Sequence, residues 1–202
     1  VTIVAAHEDG KADYSSEVAT LASAGGDAVA VIGYIDQGGK GIIQGSLDSG
    51  AFDTFILSDG MIGDALTDAF GKSLNKSFGS LPGSTGKGAG VFKTVAEAAG
   101  IDPSGPYTGE SYDAAALIVL AMQASGSADR KGIADNVMAV ANGPGKKIYP
   151  GELKKALDLL AKGKAINYEG ATGVTFTDVG EAEGSFLEKE IKGGKFKTKK
   201  QR

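Results

Sequence analysis

Apolar and polar positions fall into blocks along the first seventy residues, and the blocks alternate between two periods. Residues 1–6, Val-Thr-Ile-Val-Ala-Ala, read as a short apolar strand that ends at His7-Glu8-Asp9-Gly10. Asp13 is then placed to accept hydrogen bonds from the free N–H groups that open a helix. Tyr14, Val18, Leu21 and Ala22 recur at helical spacing on one face of it. Gly25-Gly26 ends that helix, since glycine tolerates the left-handed backbone of a C-cap. Residues 28–32 follow as a strand apolar on both faces, the pattern of a central parallel strand covered by helices. The next helix, over residues 38–49, carries Gly38, Gly39, Gly41 and Gly45. Each costs about 1 kcal/mol relative to alanine in a helix interior. Close approach of a neighbour or a ligand would account for them, and a helix start near Lys40 would account for part. A strand at 54–58 and a helix at 64–70 complete three strand–helix units, which predicts a parallel sheet with right-handed crossovers.

The pattern changes at Ser77. A short strand leads into a Gly/Ser-rich connection up to Gly90, read as a domain crossing, with Gly86-Lys-Gly-Ala-Gly90 as linker. Four helices follow. The first spans 91–99, and the turn cluster Asp102-Pro-Ser-Gly-Pro106 separates it from the second. That one starts at Ser111 or Asp113 and runs through nine apolar residues, 114–122. Ser127 caps the third, with Ile133, Val137 and Val140 on one face and Asn142-Gly143-Pro144 at its end. Pro150 suits the first turn of the fourth, where Leu153, Ala156, Leu157 and Leu160 repeat at helical spacing. Residues 91–162 offer no convincing strand, so the apolar helix has no sheet to bury it. Leaving its side chains in water would forfeit on the order of 10 kcal/mol, at roughly 1.5 kcal/mol for each larger one. Either the helices pack on one another, or the sheet they need lies in polypeptide outside this chain. Strand character returns at 173–177 and 185–191, with 178–184 as a loop, and the basic run from Lys189 to Arg202 reads as a solvated tail. The resulting division is an α/β portion over 1–78, a mainly helical portion over 79–165, and closing strands with a Lys-rich tail over 166–202.

Composition narrows the chemistry. A chain of 202 residues can form one large domain or two small ones. A net charge of −4 argues against a broad nucleic-acid footprint. There is no cysteine, so thiolate metal sites, disulfides and cysteine nucleophiles are excluded. The longest apolar run is less than half of the roughly 20 residues that span a membrane, and no signal peptide is visible ahead of the first strand, so the chain reads as soluble. The 32 glycines lie between periodic segments and punctuate many short elements.

The carboxyl ends of strands in an open α/β sheet are where ligands sit. Tyr34, Asp36 and Asp59 fall at that rim. His7 is the only histidine, which leaves no basis for a multi-histidine metal site. Lys40 and Lys87 follow glycines, but neither has the glycine six residues earlier nor the Ser/Thr after it that a phosphate loop requires. Glu8-Asp9 after the first strand and Asp59 after the third match the layout of a receiver-like phosphoacceptor domain, an acidic pair holding Mg²⁺ beside an aspartate nucleophile. The lysine such a site needs is not identifiable, and the alternation stops after Phe78. Asp59 also fits a helix-capping acid, and Tyr34 fits sheet-edge packing.

A second match covers more of the chain. Asp13-Tyr14-Ser15, the Gly33-Tyr34 and Ser58-Asp59-Gly60 strand ends, and Asp102-Pro-Ser-Gly-Pro-Tyr107 leading into Ser111-Tyr-Asp-Ala-Ala115 occur in a specific order and spacing. Together they resemble the periplasmic substrate-binding proteins of branched-chain amino acid ABC transporters, the leucine/isoleucine/valine-binding type. The similarity extends over essentially all 202 residues, Ile148-Tyr-Pro-Gly-Glu-Leu153 and the closing strands included. The resemblance implies a type I periplasmic-binding-protein fold that is incomplete: a doubly wound parallel-sheet lobe plus the helical portion of a second lobe. It implies a non-catalytic solute-binding component of an importer, in the periplasm, without a cofactor. The ligand would be a branched-chain or related amino acid held between lobes joined by a hinge, and a membrane permease would be the partner. By position, Asp59 matches the acid that binds the ligand's ammonium group. Tyr34 matches an aromatic at the cleft wall, with Ile35 and Asp36 as neighbours in register, and Gly60 and Met61 continue the Asp59 loop. Members of the family are nearly twice as long. The resemblance therefore also implies that a dimer or a second chain would supply the missing lobe, or that this chain alone binds nothing.

Overall fold

Five strands form one sheet, and three of them continue the alternation read from the sequence. The computed structural model describes residues 1–202. Val29–Val31 (β1), Phe55–Leu57 (β2) and Phe78–Pro82 (β3) pair in parallel, Val29 opposite Phe55 and Ile56 opposite Phe78. Between them lie the helices Ser15–Ala24 (α1), Lys40–Ser49 (α2) and Asp64–Phe70 (α3), with α1 ahead of β1. The core under the sheet gathers Ile43, Phe55, Met61, Leu66 and Leu74, none of them accessible to solvent. Tyr14 holds the N-cap position of α1, and Asp13, one residue before it, accepts from the first helical N–H, that of Ser15, at 3.1 Å. The glycine burden of α2 has both of its anticipated causes. The helix begins only at Lys40, and Gly41 lies so close to α1 that a Cβ there would sit 2.5 Å from the Tyr14 ring.

Two expectations for this region are corrected. Residues 1–6 form no strand, because no neighbour supplies the hydrogen bonds that a strand requires. β1 is accordingly an edge strand and not a central one, with Ala30 exposed and Ile32 80% exposed.

The sheet order is β1-β2-β3-β8-β9, where β8 is Phe186–Ile191 and β9 is Phe196–Gln201, the intervening strands lying outside this sheet. The basic run is therefore not a free tail. It folds back antiparallel on β8, with Ile191 opposite Phe196. Arg202 and Lys199 both bond Glu188 and hold its carboxyl below the ordinary range. The sequence reading missed this because a charge run and a lysine-rich edge strand have the same composition.

The chain divides into two units, Val1–Leu81 with Leu187–Arg202, and Pro82–Phe186. The second contains Lys87–Ala98 (α4), Thr108–Ser125 (α5), Arg130–Ala141 (α6) and Leu153–Leu160 (α7). It also has two small sheets. Lys146–Ile148 (β4) pairs in parallel with Ile166–Tyr168 (β5), and Thr175–Phe176 (β6) pairs antiparallel with Ala182–Glu183 (β7). β4 was not foreseen, since three residues with two lysines carry no period. Residues 86–90 are not linker. Gly86 caps α4 and Gly88 is buried in its first turn, against the carbonyl of Gly170. The cap of α6 is Asp129, which accepts from Gly132 N–H at 2.6 Å, with Ser127 bonded to it.

The apolar helix α5 is half covered. Ala116, Leu117, Leu120 and Ala121 pack against α6, α7 and β5, in a cluster with Val140, Ala156 and Tyr168. The other face, with Ala114, Ala115, Ile118 and Val119, lies open. No helix of the chain is long and apolar enough to cross a membrane.

Asp113 neither starts nor caps α5, which opens five residues earlier at Thr108. It is buried, and its carboxylate accepts from the Tyr168 hydroxyl, the Ala171 and Thr172 N–H groups and the Thr172 hydroxyl, all at 2.8–2.9 Å. One side chain thereby ties α5 to the end of β5 and the turn after it. Burial, and then the Asp113 charge, push the Tyr168 phenol far above its ordinary range, so it stays a donor. An unsatisfied buried donor costs about 1–3 kcal/mol, so Asp113→Ala, which orphans several, should destabilise the protein by about 3 kcal/mol or more. The measurement is the urea midpoint followed by helical circular dichroism. An unchanged midpoint would show that the turn does not depend on this carboxylate.

Candidate functional site

β1 and β2 stop at the same level, and the loop after each strand is held by the other strand's loop. The Ser58 N–H donates to Val31 O at 3.1 Å. The Ser58 hydroxyl then donates to Gly33 O and accepts from Gly33 N–H, both at 3.2 Å. A side chain thus extends the backbone ladder by one step, and the two loops leave the sheet side by side.

On the β1 side, Tyr34 continues extended, with φ −121° and ψ 149°. Its carbonyl accepts from the N–H groups of Gln37 and Gly39, both at 3.2 Å. This closes a wide helical turn over Ile35–Gly39, in which Gly38 takes φ 102°, a conformation that costs glycine little. The Tyr34 ring is 64% exposed and lies against Gly60. A Cβ on Gly60 would stand 2.5 Å from the Gly33 carbonyl and 2.8 Å from the Tyr34 ring, so only glycine fits there.

On the β2 side, Asp59 opens a single 3₁₀ turn, Asp59–Met61. Its carbonyl accepts from Ile62 N–H at 3.0 Å, and its exposed carboxylate accepts from Gly60 N–H at 2.8 Å. It therefore satisfies the opening of its own turn, at an exposed position on the strand end. Met61 is inaccessible and belongs to the core. Its sulfur would stand 2.3 Å from a Cβ on Gly39, so it supports the rim from beneath.

Of the residues singled out from the sequence, Tyr34, Asp59 and Gly60 are brought together on one surface. Ile35 is half-buried and packs onto the core cluster. Asp36 lies outward with Lys40 Nζ at 3.8 Å, an exposed pair of little energetic weight. Sequence reasoning missed Ser58, although a serine at a strand end ahead of Asp-Gly was the available signal. His7 turns out to fasten residues before α1 to the rim. Its Nε2 lies 3.2 Å from Gln37 O, and its ring meets Tyr14 edge-on at 5.9 Å. Tyr14 in turn donates to Glu8 O at 3.0 Å. Glu8, Asp9 and Asp59 do not assemble: no group of three or more His, Asp or Glu side chains is placed to hold a metal ion.

Comparison with known proteins adds to this geometry. No protein-family model matches the chain. Over 71 residues it is 42% identical to the chemotactic signal transduction system substrate-binding protein BasB of Halobacterium salinarum, a stretch covering 35% of this chain and 17% of that protein. Among solved structures it matches the leucine-binding protein LivK of Thermotoga maritima with a TM-score of 0.68, at 18% identity, over 95% of this chain and 49% of that one. It matches LivJ of Streptococcus pneumoniae, a branched-chain amino acid transporter substrate-binding protein solved with isoleucine, with a TM-score of 0.66, at 18% identity, over 96% of this chain and 49% of that one. A solute-binding protein of R. palustris in complex with benzoate matches with a TM-score of 0.57, at 18% identity, over 95% and 47%. The chain spans about half the length of the solved structures it matches. Its fold is accordingly the mixed α/β fold of the type I periplasmic binding proteins, present over about half of those chains.

Proposed function

We propose that the rim formed by Tyr34, Asp59 and Gly60 is one wall of a binding site for a branched-chain or related amino acid. The protein is then a non-catalytic solute-binding component of an importer, acting in the periplasm with a membrane permease. The observation that carries this reading is the Asp59 carboxylate, presented at the end of β2 beside an exposed aromatic ring. A carboxylate there can hold an ammonium group by a charge-assisted hydrogen bond. The Tyr34 ring can cover an aliphatic side chain and offer its hydroxyl. Met61 and Ser58 act beneath and behind the rim, and Asp36 stands at its outer margin. Capture follows from the ligand favouring a closed arrangement over an open one. A chemotaxis transducer in place of the permease is the second reading, favoured by the identity to BasB. The receiver-like alternative is disfavoured by the dispersal of Glu8, Asp9 and Asp59.

Two ligands separate the charge from the ring. Leucine has an ammonium group and benzoate has none. Leucine titrated to millimolar concentration should shift the amide resonances of Gly33, Tyr34 and Gly60 in the NMR spectrum. A hydrogen bond to a charged group is worth about 1.5–3 kcal/mol, so Asp59→Asn should weaken leucine about tenfold or more and leave benzoate unaffected. Leucine binding unchanged by Asp59→Asn would remove the assignment, and binding of Mg²⁺ in its place would revive the receiver.

Gly60→Ala tests the aromatic wall. The added methyl must displace the Tyr34 ring or the Gly33 carbonyl. Overpacking of this kind costs about 1–3 kcal/mol, and leucine and benzoate should weaken together. Equal affinities in wild type and variant would show that the ring takes no part.

A further inference from the structure

At the edge of the five-stranded sheet opposite β1, positive charge is concentrated in one hairpin. Residues 187–202 carry seven Lys or Arg against Glu188 and Glu190. Residues 1–81, the rest of the same unit, carry eleven Asp or Glu against four lysines. Register and alternation sort the side chains of the hairpin between two faces. Leu187, Ile191 and Phe196 pack onto the core, while Glu188, Glu190, Lys197 and Lys200 lie on the opposite face. Glu188 is already engaged by Lys199 and Arg202. Lys192, Lys195, Lys197 and Lys200 are exposed and form no ion pair.

The backbone of β9 presents bonding groups beside these lysines. Gly193 and Gly194, at φ 66° and 76°, make a two-residue turn closed by the Lys192 N–H on Lys195 O at 2.9 Å. In the next pair, Ile191 and Phe196, the peptide groups point away from each other. The Ile191 N–H accordingly donates to Ser77 O at 3.1 Å, on the β3 side. By the same alternation Phe196 and Thr198 direct their N–H and C=O groups to the open edge of the sheet. The turn itself is fixed in place. The Gly194 N–H donates to Asn75 Oδ1 at 3.0 Å, and a Cβ on Gly194 would stand 3.0 Å from the Gly71 backbone.

We propose that β9 receives an acidic, extended peptide segment of a partner protein, which adds to the sheet as a further strand. Its main chain bonds Phe196 and Thr198, and its Asp or Glu side chains meet Lys197 and Lys200. Lysines on an edge oppose a basic or apolar strand, by repulsion and by the cost of losing their water. An acidic strand reverses both effects, since each opposite-charge pair facing across a sheet contributes about 0.2–1 kcal/mol. Charge also limits the width of the occupant. Charges act over about 8 Å at physiological salt, so a flat anionic surface such as a membrane would also meet the acidic remainder of the unit. One extended strand touches the hairpin alone. The site lies at the other edge of the sheet from β1 and does not rest on the role of Tyr34 or Asp59.

The probe is a capped peptide of six alternating glutamates and valines, titrated into the whole protein. At saturation it should slow amide exchange at Phe196 and Thr198 by about tenfold or more, while Ile191, already bonded to Ser77, changes little. The same peptide N-methylated throughout keeps its charge, loses its backbone donors and should protect neither residue. Lys197→Gln combined with Lys200→Gln alters two exposed side chains and should weaken the peptide about tenfold. Absence of protection, equal protection by the methylated peptide, or undiminished affinity in the double variant would overturn the proposal. So would equal protection of Phe196 and Thr198 by phosphatidylglycerol vesicles, since the hairpin would then serve a membrane surface.

Discussion

The parallel pairing of β1 with β2 is the interaction on which the rim depends. Two strands of three residues are short, and their ladder alone supplies few hydrogen bonds. The Ser58 hydroxyl adds two more at the point where the strands end. That sets the level at which both loops depart, and with it the separation between the Tyr34 backbone and the Asp59 turn. Because Tyr34 and Asp59 each come immediately after a residue of this bridge, neither can move along the strand axis without breaking it. Preorganisation here comes from backbone register, which a mobile surface loop does not provide.

Close packing then decides which residues the rim can contain. Gly41, inside α2, costs about 1 kcal/mol in helix propensity, while Gly39 stands at its N-cap, where glycine is well tolerated. What they allow is larger: Tyr14 and Met61 are buried against them, and a fully buried apolar side chain is worth about 1.5–3 kcal/mol. The weak local preference of the segment is therefore offset by tertiary contact. It also explains why the turn before α2 is irregular, since a regular helix beginning at Ile35 would carry the glycines out of register with the side chains they accommodate.

What was legible in the sequence was whatever has a local cause. The strand–helix alternation from α1 to Phe70 came from period and caps, and the turn at Asp102 from its Asp-Pro-Ser-Gly-Pro cluster, where the Ser104 N–H donates to Asp102. The resemblance supplied the fold that the solved structures share. What was not legible depended on partners distant in sequence or lacking. Residues 1–6 had a strand's composition but nothing to pair with. Lys197 and Lys199 read as solvated charge because nothing local reveals that β8 lies opposite. Asp113 looked like a cap, since its four donors arise from residues more than fifty positions away. At the rim, the sequence placed Tyr34 and Asp59 at strand ends, where they lie, but could not tell that Met61, two residues on, faces inward.

The two edges of the five-stranded sheet have opposite characters. β9 presents Lys197, Lys199 and Lys200 along its exposed length. Two such edges repel, and seating one against the apolar edge strand β1 would strip lysines of their water at a cost of several kcal/mol each. Copies of the chain therefore cannot join edge to edge in a repeating series. The sheet is directional, with lysines along one edge strand and an apolar strand at the other edge.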